Sequence, residues 1–324
     1  MKTARPVLLR TGIVGVLLAL LAASLMTGGY DITLSRLLED PDAREMFLIS
    51  RVPRTLALVL AGIAMSVSGL IMQMVTQNRF VEPTTTGTAQ WAGLGILVTL
   101  IVTPGATPLT RMIVASFFAM IGSLVFLAVL RRVALRSSLI VPLIGIMLGA
   151  VVSAVTVYLA ATFNLLQSMS AWRSGGFSGI VRGHYEPLWV VGIITVVVFL
   201  LADRLTVAGL GADVARNIGV NYERVVLLAT VLVAVATGVT SVVVGFLPFL
   251  GLIVPNIVSM LRGDNVRGNL PWVAALGAAL ILACDLVGRT VVAPMEIPVS
   301  VVLGAIGAAI FIALVLRQRR HARV

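Results

Sequence analysis

Three short polar segments interrupt an otherwise apolar chain, and they hold the residues best suited to recognition. The first ends in Arg51-Val52-Pro53-Arg54. Two guanidiniums three residues apart, stiffened by proline, suit bidentate pairing with carboxylates of a soluble partner, because the planar fork matches the carboxylate. They equally suit arginines at a membrane edge that snorkel to the headgroups. The second segment runs Gly209-Leu210-Gly211-Ala212-Asp213-Val214-Ala215-Arg216-Asn217-Ile218-Gly219-Val220-Asn221-Tyr222. Its middle reads as one short helix: Gly211 stands near the start, Asp213 favours the first turn and Gly219 closes the end as a C-cap. Such a helix either lies on a membrane surface or plugs into a groove on another subunit. The third segment, Gln73 to Pro83, includes Gln73 and Asn78. Polar groups at membrane depth face a cavity or a neighbouring helix, so Gln73 fits pore lining and helix packing alike.

Covalent chemistry finds no support. His184 and His321 fall in expected loops, and the only cysteine, Cys284, stands in an apolar stretch. No Cys/His spacing marks a metal site, and no cofactor is indicated. Asp285 and Glu296 are acids near one membrane edge with no partner that suggests acid–base work. The only lysine is Lys2. A Walker-type phosphate loop needs a lysine after its glycines, so this chain holds none. Any ATP that drives it binds another chain, and this subunit reads as non-catalytic.

The elements that position these segments must be membrane helices. The 324 residues are 59% hydrophobic and 11% charged, where soluble domains carry roughly 25% charged residues. A water-facing surface cannot be made from so few. The net charge of +11 does not point to nucleic acid, because the cations sit in short clusters between apolar runs. A helix needs about 20 apolar residues to cross the hydrocarbon. The expected spans are 8–27, 55–75, 87–103, 112–130, 138–160, 187–202, 225–243, 248–261, 271–287 and 299–316, in one transmembrane domain over 1–324. The stretch 225–261 carries no charge, and Gly245 with Pro248 divides it into two crossings. The second is short and contains Pro255, as a half-helix packed inside protein would. Residues 1–27 are read as an uncleaved first helix, because no small-x-small cleavage site ends the run.

Ten spans place both termini on one side. That side then holds sixteen Lys and Arg against eight on the other, which assigns both ends to the cytoplasm. The segment 28–54 becomes an outer loop and 203–224 a cytoplasmic one. Ser153, Thr156, Asn164 and Gln167, on or just beyond the fifth span, are candidates to line a pathway, although small polar residues also join helices.

Taken in register, these pieces resemble the permease family of bacterial importers for iron–siderophores, haem and vitamin B12. The resemblance covers nearly the whole chain and rests on seven pieces. They are Arg51-Val-Pro-Arg54-Thr-Leu; Gly62 through Ser68-Gly69 to Gln73; Asn78 to Pro83 and Gly87; Gly209-Leu-Gly with Ala215-Arg216 and Gly219-Val-Asn221; Gly245 with Phe249-Leu-Gly-Leu-Ile-Val-Pro255; Asp285-Leu-Val-Gly-Arg289; and Glu296-Ile-Pro298. The resemblance implies an all-α, type II ABC importer permease of ten spans, in the inner membrane, paired with a second permease, identical or paralogous. An ATPase dimer would sit below and an extracytoplasmic siderophore-binding protein outside. It implies that Arg51, Arg54 and Arg289 dock glutamates of the binding protein. It also implies that Gly209, Gly211, Ala212, Asp213, Ala215, Arg216, Gly219 and Asn221 form the coupling segment against the ATPase. After Val254-Pro255 the family often has His, and Arg three residues later. Here Asn256 and Ser259 stand there, which favours ferric siderophores over haem and vitamin B12.

Overall fold

The computed structural model describes residues 4–28, 34–133 and 139–321. Lys2, Arg136 and Arg323, all counted among the cytoplasmic cations, lie outside them. Among the described residues the chain is helical throughout. Helices occupy all ten expected positions: α1 (Ala4–Met26), α4 (Val52–Thr76), α5 (Thr88–Val102), α6 (Pro108–Arg132), α7 (Ile140–Thr162), α9 (Trp189–Gly209), α11 (Tyr222–Val243), α12 (Leu250–Arg262), α13 (Val266–Thr290) and α14 (Val299–His321). Short helices α2 (Leu34–Glu39), α3 (Pro41–Met46), α8 (Leu166–Ser174) and α10 (Ala212–Asn217) join them. Six helices are long and apolar enough to cross a membrane, and four apolar ones are shorter.

The first polar loop differs from its expectation. Residues 41–76 form one continuous helical run, in which a π-helical turn over Phe47–Arg51 joins α3 to α4. Pro53 therefore does not stiffen a turn. It lies at the start of α4 directly after the π-helical turn, an irregular stretch of the run that accommodates its missing N–H. Arg51 and Arg54 consequently project from helix. Likewise α9 continues to Gly209, beyond the expected end at residue 202, and His321 is the last residue of α14 rather than part of a loop.

Helix α4 is the spine. Most of its side chains are buried, and it packs against α9, α11, α12 and α13. In lipid the solvent is as apolar as the side chains, so association depends on close packing and hydrogen bonds. Small residues supply the closeness. A Cβ added at Gly69 would lie 2.0 Å from the Gly251 carbonyl oxygen of α12. One added at Gly62 would lie 2.7 Å from the Gly277 carbonyl oxygen of α13. The outward faces of α6, α7 and α9 instead expose large apolar side chains such as Ile113, Met147 and Leu200.

Helix α12 has 13 residues, about 20 Å at 1.5 Å per residue, too short for a 30 Å core. Its first seven residues are buried, as expected of an internal half-helix. Its free N-terminal N–H groups are met by a buried carboxylate. Glu82, fully buried, accepts hydrogen bonds from the Phe249 and Leu252 amides at 2.8 and 3.1 Å and from the Thr84 hydroxyl. An acid at a helix N-terminus satisfies orphan donors and complements the positive end of the dipole. Phe249 itself holds a left-handed φ of 63°, a conformation that non-glycine residues rarely adopt.

Candidate functional site

The two ends of α4 carry different sites. At its N-terminal end α4, α13 and the loop before α14 bring five charged side chains together. Arg54 donates through Nη1 and Nη2 to Glu296 at 3.0 and 2.9 Å, and through Nη2 to Asp285 at 2.8 Å. Asp285 Oδ2 lies 2.6 Å from Arg289 Nη2, one helical turn further along α13. Arg289 also donates to the carbonyls of Thr27 (2.7 Å) and Ser24 and to the Ser24 hydroxyl (3.1 Å), tying α1 to α13. Arg51 is tucked beneath Gly28. A Cβ there would fall 2.1 Å from the guanidinium carbon.

All three arginines singled out in the sequence thus converge, although 235 positions separate Arg54 from Arg289. They are not bare. Arg51 and Arg289 are each only 7% exposed, and Asp285 and Glu296 fill the spaces between guanidiniums. The partner that the two acids share, Arg54, arrives from α4 and so was not visible beside them in the sequence. The one usable signal was Arg289 four residues after Asp285, a helical neighbour spacing. Glu296 also accepts from the Ser178 hydroxyl at 2.6 Å. Partial burial opposes its charge. The hydrogen bonds from Arg54 and Ser178 and the charges of Arg54 and Arg289 outweigh that and hold its carboxyl below the usual carboxylate value.

At the other end of α4 lies the second polar segment. Gly211, with φ 110°, precedes α10, and Gly219, with φ 81°, follows it. Asp213 is in the first turn and Ala215 is fully buried. Arg216 pairs with Glu223, and Asn221 caps α11 by accepting from the Arg224 amide at 3.0 Å. Gln77, just past α4, donates to the Gly209 carbonyl at 3.3 Å. Leu210, Val214 and Ile218 are all exposed, at 62%, 39% and 63%. Leu210 precedes Gly211, Val214 lies on α10 and Ile218 follows it, so they make an apolar stripe along the segment rather than one helix face, left uncovered among the described residues.

The pathway candidates divide. Gln73 is buried and donates to the Gly251 carbonyl at 3.3 Å, so here it joins α4 to α12. Asn78 accepts from the Phe80 amide at 2.9 Å and shapes the turn after α4. Ser153 and Thr156 line a cavity of about 230 Å³ with Gln90, Trp172 and Arg173. Asn164, at φ 58°, turns the chain between α7 and α8, and Gln167 is exposed on α8. Asn256 is buried and borders a small cavity of about 30 Å³ beside Gln73. It donates to the carbonyls of Arg79 (2.7 Å) and Leu252 (2.6 Å), tying α12 to the loop after α4. No group of three or more His, Cys, Asp and Glu that could hold a metal occurs among the described residues.

The chain is thus an apolar helical bundle with an internal half-helix, an arginine–carboxylate cluster at one end and exposed apolar side chains at the other. The FecCD transport family matches residues 16–317. The petrobactin import system permease protein FatD of Bacillus anthracis is 53% identical over 301 residues, 93% of this chain and 89% of that protein. The ferric-anguibactin transport system permease protein FatD of Vibrio anguillarum is 41% identical over 83% of this chain and 86% of its own length. The vitamin B12 import system permease protein BtuC of Citrobacter koseri is 31% identical over 83% and 82%. Among solved structures, an inward-facing metal-chelate type ABC transporter superposes with a TM-score of 0.81 at 25% identity, covering 95% of this chain and 98% of that one. The chain belongs to the FecCD transport family and is a non-catalytic, multi-pass import permease subunit.

Proposed function

We propose that the chain is one permease of a type II ABC importer that carries ferric siderophores across the cytoplasmic membrane. It crosses ten times with both termini inside, beside a second permease, above an ATPase dimer. The single observation that carries this reading is the pairing of sites on α4. The arginine cluster closes one end of the spine, and Gln77 at the other end holds the segment that bears the Leu210, Val214 and Ile218 stripe. A movement of α10 is therefore delivered to the helix that carries Arg54.

An extracytoplasmic siderophore-binding protein docks through acidic side chains on Arg51, Arg54 and Arg289. Charge pairs of this kind guide encounter and register and weaken with salt. The ATPase takes the apolar stripe into a groove, and Gly209, Gly211, Ala212, Asp213, Ala215, Arg216, Gly219 and Asn221 give that segment its shape. Ser153 and Thr156 border the route of the chelate. The siderophore assignment follows the relatives of higher identity, which import petrobactin and ferric anguibactin; the vitamin B12 relatives are more distant.

The test is uptake of radiolabelled iron by proteoliposomes that contain the permease with its ATPase and binding protein. ATP-dependent uptake with ferric siderophores, and none with haem or cobalamin, is the expected result. Uptake of cobalamin but not iron would overturn the substrate assignment.

A further inference from the structure

Two cavities adjoin on either side of Trp172. The smaller, about 230 Å³, is the one bordered by Ser153, Thr156 and Arg173. The larger, about 480 Å³, is bordered by Arg111, Ser168, Trp172 and Ser178 and falls in the size range of small-molecule pockets, about 300–1,000 Å³. Trp172 is a fixed partition. Its indole N–H donates to the Ser241 carbonyl at 2.7 Å, and its ring meets Phe246 edge-on at 6.5 Å. Gly93 gives it room, since a Cβ there would lie 2.5 Å from the ring.

The charge of this region is one-sided. Arg111 stands in the larger cavity and Arg173 in the smaller, and neither lining contains an Asp or Glu. Arg54, Arg79, Arg216, Arg267 and Arg289 all pair with acids, whereas no ion pair involves Arg111 or Arg173 among the described residues. Arg111 Nε is buried without a hydrogen-bond partner. Arg111 lies in the first turn of α6 and Arg173 in the last turn of α8, so both charges stand at helix ends bordering the cavities rather than at mid-membrane. Ser178 joins the larger cavity to the arginine cluster through its bond to Glu296, so the cavity opens at the proposed docking end.

We propose that Trp172, Arg111 and Arg173 form a selectivity element for anionic, aromatic ferric chelates arriving from the binding protein. This rests on the siderophore reading above. Ferric iron is a hard cation best held by charged oxygens, and three catecholates leave the complex with surplus negative charge, while three hydroxamates neutralise it. A low-dielectric cleft of uncompensated positive charge concentrates the anionic class, and the indole face stacks its rings. Two arginines on successive cavities attract the chelate without caging it, so it can leave.

The experiment compares Arg111→Gln/Arg173→Gln with wild type in reconstituted complexes, offering radiolabelled iron as a ferric tris-catecholate and as a neutral ferric trishydroxamate. Binding-protein-stimulated ATP hydrolysis is measured in parallel. The expected result is at least a tenfold loss of tris-catecholate uptake in the variant, with stimulated hydrolysis within twofold of wild type and any trishydroxamate uptake unchanged. Trp172→Ala should narrow the preference between the two chelates. Equal losses for both chelates, no loss for either, or wild-type uptake of the neutral chelate alone would each overturn the proposal. A wild-type complex that hydrolyses ATP but imports neither chelate would sink the siderophore reading itself.

Discussion

Arg54 grips Glu296 with both Nη nitrogens while one of them also holds Asp285. The residue proposed to receive a partner's carboxylate is therefore already occupied by the chain's own. An incoming glutamate must compete with Glu296 or join the cluster beside it. Glu296→Gln removes the competing charge and leaves Asp285 in place. It is expected to strengthen docking of the binding protein several-fold, measured by titrating the purified complex at low salt, with the gain shrinking at high salt.

Charge reversal at Arg54 would be a poor docking probe. Arg54→Glu sets three carboxylates together at the end of α13. Asp285 is the keystone, with a side chain wholly buried between Arg54 and Arg289. Breaking a buried ion pair by removing one partner costs about 3–5 kcal/mol, because the remaining charge stays desolvated. Asp285→Ala is expected to lower the thermal midpoint in detergent accordingly, and by more than Glu296→Gln does at the partly exposed rim.

The Arg54–Glu296 contact should also be sensitive to acid. Glu296 has a carboxyl pKa below its ordinary value. Its contribution to stability is therefore fully present above about pH 4.3, the unfolded-state value, and is lost as pH falls through the lower folded value. The difference in thermal midpoint between wild type and Glu296→Gln should be constant near neutrality and vanish in strong acid. A difference that disappears between pH 6 and 7 would contradict this assignment.

Glu82 offers a test of the half-helix. It accepts from the Phe249 and Leu252 amides, of which Leu252 also reaches the Phe249 carbonyl at 3.1 Å. Glu82→Ala therefore takes the carboxylate acceptor from the Phe249 amide, at about 1–3 kcal/mol for a group left unsatisfied. The expected outcome is a lower midpoint and faster proteolysis near residues 244–250, while Glu82→Gln, which keeps one acceptor oxygen, retains part of the stability.

The apolar stripe separates coupling from folding. Val214→Glu and Ile218→Glu change exposed positions, and surface substitutions usually alter stability by less than about 0.5 kcal/mol. They should leave the permease folded yet abolish co-purification of the ATPase. Bulky residues at Ala215 would be uninformative, because that side chain is fully buried and the fold would suffer first.

Composition and apolar run lengths by themselves determined that this chain lives in a membrane, where its ten apolar segments lie and that α12 is short, though not the helical run from residue 41 into α4 or α8. These depend on local hydropathy and on helix length against bilayer thickness, quantities that neighbours do not alter. Gly211, Asp213 and Gly219 likewise marked α10, because capping is local chemistry. Only the tertiary structure decided the partners. Arg54 finds Glu296 at a separation of 242 residues, and Glu82 finds Phe249 at 167. No periodicity encodes such pairs; they form when α4, α12 and α13 approach closely enough, through Gly62, Gly69, Gly251 and Gly277, to bring those groups within hydrogen-bond reach.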